Sequence, residues 1–183
     1  MFDLSTESRP HKTLRRYKEA LRGLFAKHGA VPVFYEVARL SAKGGHAHVQ
    51  AVPVPISLQN EVETAFLKEG RALGIDFEPD ADGALEACVG SARSHFRVDL
   101  PDGRKLIHLM KDDVPFSVQF GRYVLQQVIF IMGLLGYFCR QVLVSLLNIT
   151  HRLDWKTCIL SEEEDNADVE LFKKAFAPFD PSL

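Results

Sequence analysis

Apolar positions between residues 10 and 28 recur at three- and four-residue steps. Leu14, Tyr17, Leu21, Leu24, Phe25 and His28 fall on one side of a helix. Pro10 suits its first turn, and Gly29 suits the position just past its end. Val31 to Val37 then predicts a strand, and Ser41–Gly45 a loop that ends in two glycines. His46 to Val54 alternates strictly. His46, His48, Gln50, Val52 and Val54 point one way, while Ala47, Val49, Ala51 and Pro53 point the other. Pro53 and Pro55 have no N–H to give to a ladder, which places the end of this strand at an edge or a sheet exit. A second helix is predicted over about 59–73, with Val62, Phe66, Leu67 and Leu73 on its apolar side and Ser57 or Asn60 as its cap. His95–Leu100 and Lys105–Met110 flank Pro101-Asp102-Gly103-Arg104, a hairpin signal. A last helix is predicted over about 162–177. Ser161 and Glu164 form its capping box, and Leu171, Phe172, Ala175 and Phe176 its buried stripe. Helix, strand, strand, helix, hairpin and helix in that order favour an antiparallel α+β domain.

Composition narrows the function classes. The 183 residues are 46% apolar and 25% charged, a globular balance with a formal charge of -2. Binding of nucleic acid by bulk positive charge alone is therefore excluded. The charge is uneven, with Lys and Arg dominating the first 31 residues and Asp and Glu the last two dozen. Cys88, Cys139 and Cys158 have no C-x-x-C spacing, so neither a disulfide framework nor a zinc knuckle is supported. A reducing compartment follows as the default. The first ten residues contain no apolar run of signal-peptide type.

The strand His46-Ala47-His48-Val49-Gln50 carries the candidate chemistry. Residues at i, i+2 and i+4 share a strand face, roughly 6.5 Å apart. They follow Gly44 and Gly45, where a ligand can approach the backbone closely. A neutral imidazole with one ring nitrogen held as N–H can attack phosphorus through the other, and polar neighbours can hold phosphate oxygens. The same pattern also fits surface histidines or half of a metal site. No third His, Cys or carboxylate stands at a fixed spacing, so no metal is assigned. Arg104, Lys105 and Lys111 by the hairpin are candidates for RNA phosphates, but a solvated hairpin explains them more simply. Trp155 reads as a packing residue before a base-stacking one, and His95, His108 and His151 read as structural or surface residues. Asn148-Ile149-Thr150 matches a glycosylation sequon, which a cytoplasmic or nuclear chain would not use.

Gly45-His46-Ala47-His48-Val49-Gln50-Ala51-Val52 resembles the histidine-triad superfamily pattern. Gln50 stands where most members carry a third His, as in the uridylyltransferase branch. Taken with Pro32–Glu36, Pro115–Arg122, Leu153–Cys158 and Phe172–Asp180, the chain resembles the CwfJ-type C-terminal region of Cwf19-like proteins over most of residues 14–183. The resemblance implies a histidine-triad-like antiparallel sheet with flanking helices and a C-terminal helical extension. It divides the chain into residues 1–100 and 101–183. It also implies a nuclear, spliceosome-associated role in intron-lariat debranching and turnover and in mRNA splicing, with the RNA lariat branch region, the lariat debranching enzyme and spliceosome components as partners. The superfamily nucleophile falls on His48. His46, His48, Gln50, Gly44 and Gly45 are the implied phosphate or RNA contacts. No cofactor and no membrane are implied. Full-length relatives carry an N-terminal metallophosphatase-like domain and further strands ahead of this helix, so the sequence reads as a C-terminal piece. The missing third His favours a non-catalytic modulator. The alternative is a nucleotide hydrolase or transferase with His48 as nucleophile.

Residues 123–140 (YVLQQVIFIMGLLGYFCR) look foreign to this pattern. Tyr123-Val124-Leu125 and Gln141-Val142-Leu143 both continue a helix from Phe120-Gly121-Arg122, and removing 123–140 gives FGRQVLVSLLNITHRLDWK, which fits the family pattern better. Arg122-Tyr123-Val124 can be encoded across a GTATGT-type splice donor, and Phe138-Cys139-Arg140 across a TTTTGCAG-type acceptor. A retained in-frame intron is the expectation. Val128–Phe138 is apolar throughout but shorter than the roughly 20 residues that span a bilayer.

Overall fold

The computed structural model describes residues 9–39, 47–79, 94–111, 114–131 and 161–182. Its elements are α1 (Arg9–Ala26), β1 (Ala30–Ala38), β2 (Ala47–Pro55), α2 (Glu61–Ala72), β3 (Glu78–Pro79), β4 (His95–Asp99), β5 (Lys105–Leu109), α3 (Phe120–Ile131) and α4 (Glu162–Phe176). The strands form one sheet in the order β2-β1-β4-β5-β3. The pairs β1–β4, β4–β5 and β3–β5 are antiparallel. The α+β fold expected from the pattern is the one observed, and β2 lies at an edge of the sheet, where its prolines are tolerated.

The chain separates into two compact units, one of residues 31–138 and one of residues 1–30 with 139–183. In the first, one sheet face carries the core. Val33, Tyr35 and Val37 of β1, Val54 of β2, Phe96 and Val98 of β4 and Leu106 of β5 cluster with Val62 and Phe66 of α2 and with Phe120, Val124, Leu125 and Val128 of α3. Phe96 is the hub of an aromatic group, with ring centroids 5.3 Å from Phe116, 5.4 Å from Phe120 and 6.2 Å from Phe66. These offset and edge-on contacts add to the area each ring buries. On the other face, Arg97 stands opposite Glu36 in the β1–β4 register. Its Nη2 lies 2.8 Å from a Glu36 carboxylate oxygen, and its Nε lies 3.5 Å from Asp99. All three side chains are nearly buried.

Helix α3 bears on the foreign-looking segment. Its first half, as far as Ile131, is helix, and Val124, Leu125 and Val128 are core residues. Residues 132–160 lie outside the described residues.

In the second unit, the capping box of α4 forms as expected. Ser161 Oγ accepts from the Glu164 backbone N–H, and the Ser161 N–H donates to the Glu164 carboxylate at 2.9 Å. Tyr17 of α1 stacks on Phe176 with centroids 6.2 Å apart, and Phe172 stacks on Phe176 at 5.8 Å. Arg16 donates to the Pro181 carbonyl, and Lys27 sits 4.6 Å over the Phe179 ring.

Three expectations need correction. Asn60 sits at the N-cap of α2 but in helical φ/ψ, and its side chain makes no capping hydrogen bond. A short 3-10 turn over Ile56–Leu58 leads into the helix instead and leaves Ser57 exposed outside the cap position. Leu14 and Tyr17 of α1, Leu67 and Leu73 of α2 and Leu171 of α4 are exposed, so each apolar stripe is narrower than its periodicity implied. The two-residue strand β3 has no sequence signal at all, being too short to show alternation.

Candidate phosphate-binding site

Gly44, Gly45 and His46 lie outside the described residues. His48 and Gln50 are both on β2, the first exposed and the second half-buried. Val52 and Val54 of the same strand pack with the core. Strand alternation therefore puts His48 and Gln50 on the core-bearing face, at the strand end where the apolar cover gives way to solvent.

Gln50 is held by two residues that the sequence reading gave no role. The Tyr35 hydroxyl of β1 donates to Gln50 Oε1 at 2.7 Å, and Arg122 Nη2 of α3 donates to the same oxygen at 3.3 Å. A guanidinium can only donate, so the atom facing it must be the amide oxygen. Both lone pairs of that oxygen are then used, and Nε2 with its two N–H groups is the donating end of the side chain. Arg122 is exposed and follows Gly121 in the first turn of α3. A Cβ at position 121 would lie 2.6 to 2.8 Å from three ring atoms of Tyr35. Only glycine lets the helix backbone come this close to the ring, and that approach brings Arg122 over Gln50. Burial pushes the Tyr35 hydroxyl pKa above its ordinary value, while the charge and hydrogen bond of Arg122 pull the other way. The hydroxyl therefore stays protonated and able to donate at neutral pH.

On this face β2 carries His48 and the Gln50 amide, and α3 brings the Arg122 guanidinium to Gln50. Such a donor-rich group can hold an oxyanion. Gln50 cannot also accept a ring N–H from His48 without giving up Tyr35 or Arg122.

The other candidates resolve differently. Glu63 of α2 grips Arg104 with bonds of 2.8 and 2.5 Å, and Asp102 adds another at 2.8 Å, so its guanidinium already serves carboxylates. Burial nudges Asp102 upward, but its hydrogen bonds from Arg104 outweigh this and hold the carboxyl below its ordinary value. His108 Nδ1 lies 2.8 Å from the Asp76 carbonyl, to which it can only donate, and its ring stacks on Phe116. That is a structural histidine. His95 Nε2 lies 4.0 Å from Glu36. Lys105 is half-buried and Lys111 exposed. His151, Trp155, Cys158 and the sequon at Asn148 lie outside the described residues. Among the described residues, no group of three His, Cys, Asp or Glu is placed to hold a metal ion. No helix among them is long and apolar enough to cross a membrane.

Comparison with known proteins decides the family. A model described as "Protein similar to CwfJ C-terminal" matches residues 3–67, which include β2 and the His48–Gln50 strip. A second, "Protein similar to CwfJ C-terminus 2", matches residues 130–181. The chain belongs to the CwfJ C-terminal family. This CwfJ segment is 35% identical over 177 residues to zinc finger CCCH domain-containing protein 59 of rice, covering 92% of the chain and 26% of the relative. It is 29% identical to CWF19-like protein mug161 of fission yeast, with 91% and 25% covered. To human CWF19-like protein 1 it is 28% identical, with 93% and 28% covered. The CwfJ segment thus spans about a quarter of the length of these relatives.

Proposed function

We propose that this CwfJ segment is a splicing-related binding module. It works in the nucleus with the spliceosome, holds an RNA phosphate at the lariat branch on the His48–Gln50 strip, and assists the debranching enzyme without forming a covalent bond to its ligand. Its kinship with CWF19-like proteins supports the biological setting. The observation that carries the chemistry is the orientation of Gln50. Its oxygen is spent on Tyr35 and Arg122, so it offers N–H donors to an anion. It does not offer the acceptor that would fix the tautomer of an attacking His48. Gly44, Gly45 and His46, which precede this strip, belong to the same proposed contact surface.

The test is fluorescence anisotropy with a 2′,5′-branched RNA and its linear counterpart, beside turnover assays with nucleoside phosphoramidates and dinucleoside polyphosphates. The expected result is RNA binding that weakens in His48→Ala, with no turnover by the native chain. Turnover that disappears in His48→Ala would establish the nucleotidyl hydrolase or transferase reading instead. Absence of RNA binding would end the proposal.

A further inference from the structure

We infer that Arg122 and Tyr35 are working members of this site, Arg122 as its anion-binding cation and Tyr35 as the residue that positions Gln50. The inference rests on the phosphate-binding reading and adds two residues to it, 15 positions before and 72 after Gln50. Arg122 carries five N–H donors in a planar fork, one of which goes to Gln50 Oε1. It is exposed on the first turn of α3, where the helix N-terminus also favours an anion. The chain's net charge of -2 gives no general attraction for phosphate, so a local cation has to supply it. Tyr35 acts differently. Its ring is buried in the core, and its hydroxyl, which the Arg122 guanidinium also approaches, donates to the amide oxygen of Gln50. It adds no charge to the site. What it does is hold the amide flipped so that Nε2 faces a ligand.

The two roles separate in one titration series, run on the whole 183-residue chain with a short single-stranded RNA at several salt concentrations. Arg122→Gln should weaken binding at least about tenfold, the size of a lost charge-assisted hydrogen bond. It should also reduce the slope of log K against log[salt] by about 0.7, the value for one phosphate contact to a single strand. Arg122→Lys should recover the slope but only part of the affinity. Tyr35→Phe should weaken binding about threefold with the slope unchanged, a pattern that loss of charge cannot produce. Gln50→Glu keeps an acceptor for both partners, so its melting temperature should hold while RNA binding is lost. In the native chain, the Gln50 side-chain amide NMR signals should shift as inorganic phosphate is added. If the native chain binds RNA and Arg122→Gln leaves affinity and salt slope unchanged, the assignment of Arg122 is overturned and the phosphate reading survives. If Gln50→Glu binds as well as the native chain, the positioning role of Tyr35 falls. If the native chain does not bind RNA, the phosphate reading itself fails and this inference fails with it.

Discussion

Gly121→Ala tests how the site is built. By helix propensity alone, exchanging glycine for alanine inside a helix stabilises it by about 0.8–1 kcal/mol. The surroundings of Gly121 reverse that sign. The new Cβ would lie 2.6 Å from Tyr35 Cδ2, 2.7 Å from Cε2 and 2.8 Å from Cγ. Real Cβ atoms do not approach ring carbons so closely, and this ring has little room to retreat. Tyr35 is 1% exposed, leans on Phe96 with centroids 5.9 Å apart, and is tied through its hydroxyl to Gln50. Overpacking of this kind costs about 1–3 kcal/mol. Set against the propensity gain, a net loss of up to about 2 kcal/mol is expected. For a chain of this length that is up to roughly 8 °C in melting temperature, at about 2–4 °C per kcal/mol. Urea unfolding followed by circular dichroism measures it directly. The damage should extend to function, because moving the ring or the helix separates Gln50 from Tyr35 and Arg122, so RNA affinity should fall as well. An alanine variant as stable as the native chain, with RNA binding intact, would show that the ring and helix yield freely and that the close approach has no structural role.

Ser161→Ala removes one half of the capping box and should cost about 1 kcal/mol, seen as faster amide hydrogen exchange in the first turn of α4. Deleting residues 123–140 should leave a folded chain, because Val142, Leu143 and Leu146 then take the places of Val124, Leu125 and Val128 on the buried face of α3. Cooperative unfolding of the deletion variant would support this, and aggregation would refute it. Burial raises the Tyr35 pKa in the folded state above its ordinary 10.0. Stability tied to the neutral hydroxyl is therefore fully present below pH 10 and is lost as pH climbs through the folded value. The difference in unfolding free energy between the native chain and Tyr35→Phe should stay level up to about pH 10 and shrink above it. A difference independent of pH across that range would contradict the assignment.

Most elements could be read from periodicity. Helix α1, strands β1 and β2, the β4–β5 hairpin around Gly103 and the capped α4 all carry local signals, and those signals are local physics: pleat alternation, turn chemistry and end capping. What could not be read was set by distant packing. Leu171 and Leu14 have the spacing of buried residues, but how much of a helix face is covered depends on what lies against it. The site divides in the same way. The His48–Gln50 strip is legible because its residues share one strand. Tyr35 and Arg122 reach it only once β1 has paired and α3 has closed over the sheet. One trace was available in advance: Gly121 beside Arg122, a glycine at the start of a helix where alanine would serve better unless something lies close.

The charged trio on the other face of the sheet has a consequence for how the chain finds its alignment. Strands β1 and β4 are far apart along the polypeptide and could meet in several offsets, many of which keep some apolar contact. Shifting β4 by a single position would carry Arg97 and Asp99 together away from Glu36 and into the company of Phe66, Phe116 and Phe120, burying charged groups in hydrocarbon. The ion pairs thus work as a key cut for one lock: whatever they add to the finished molecule, they penalise each neighbouring misalignment heavily.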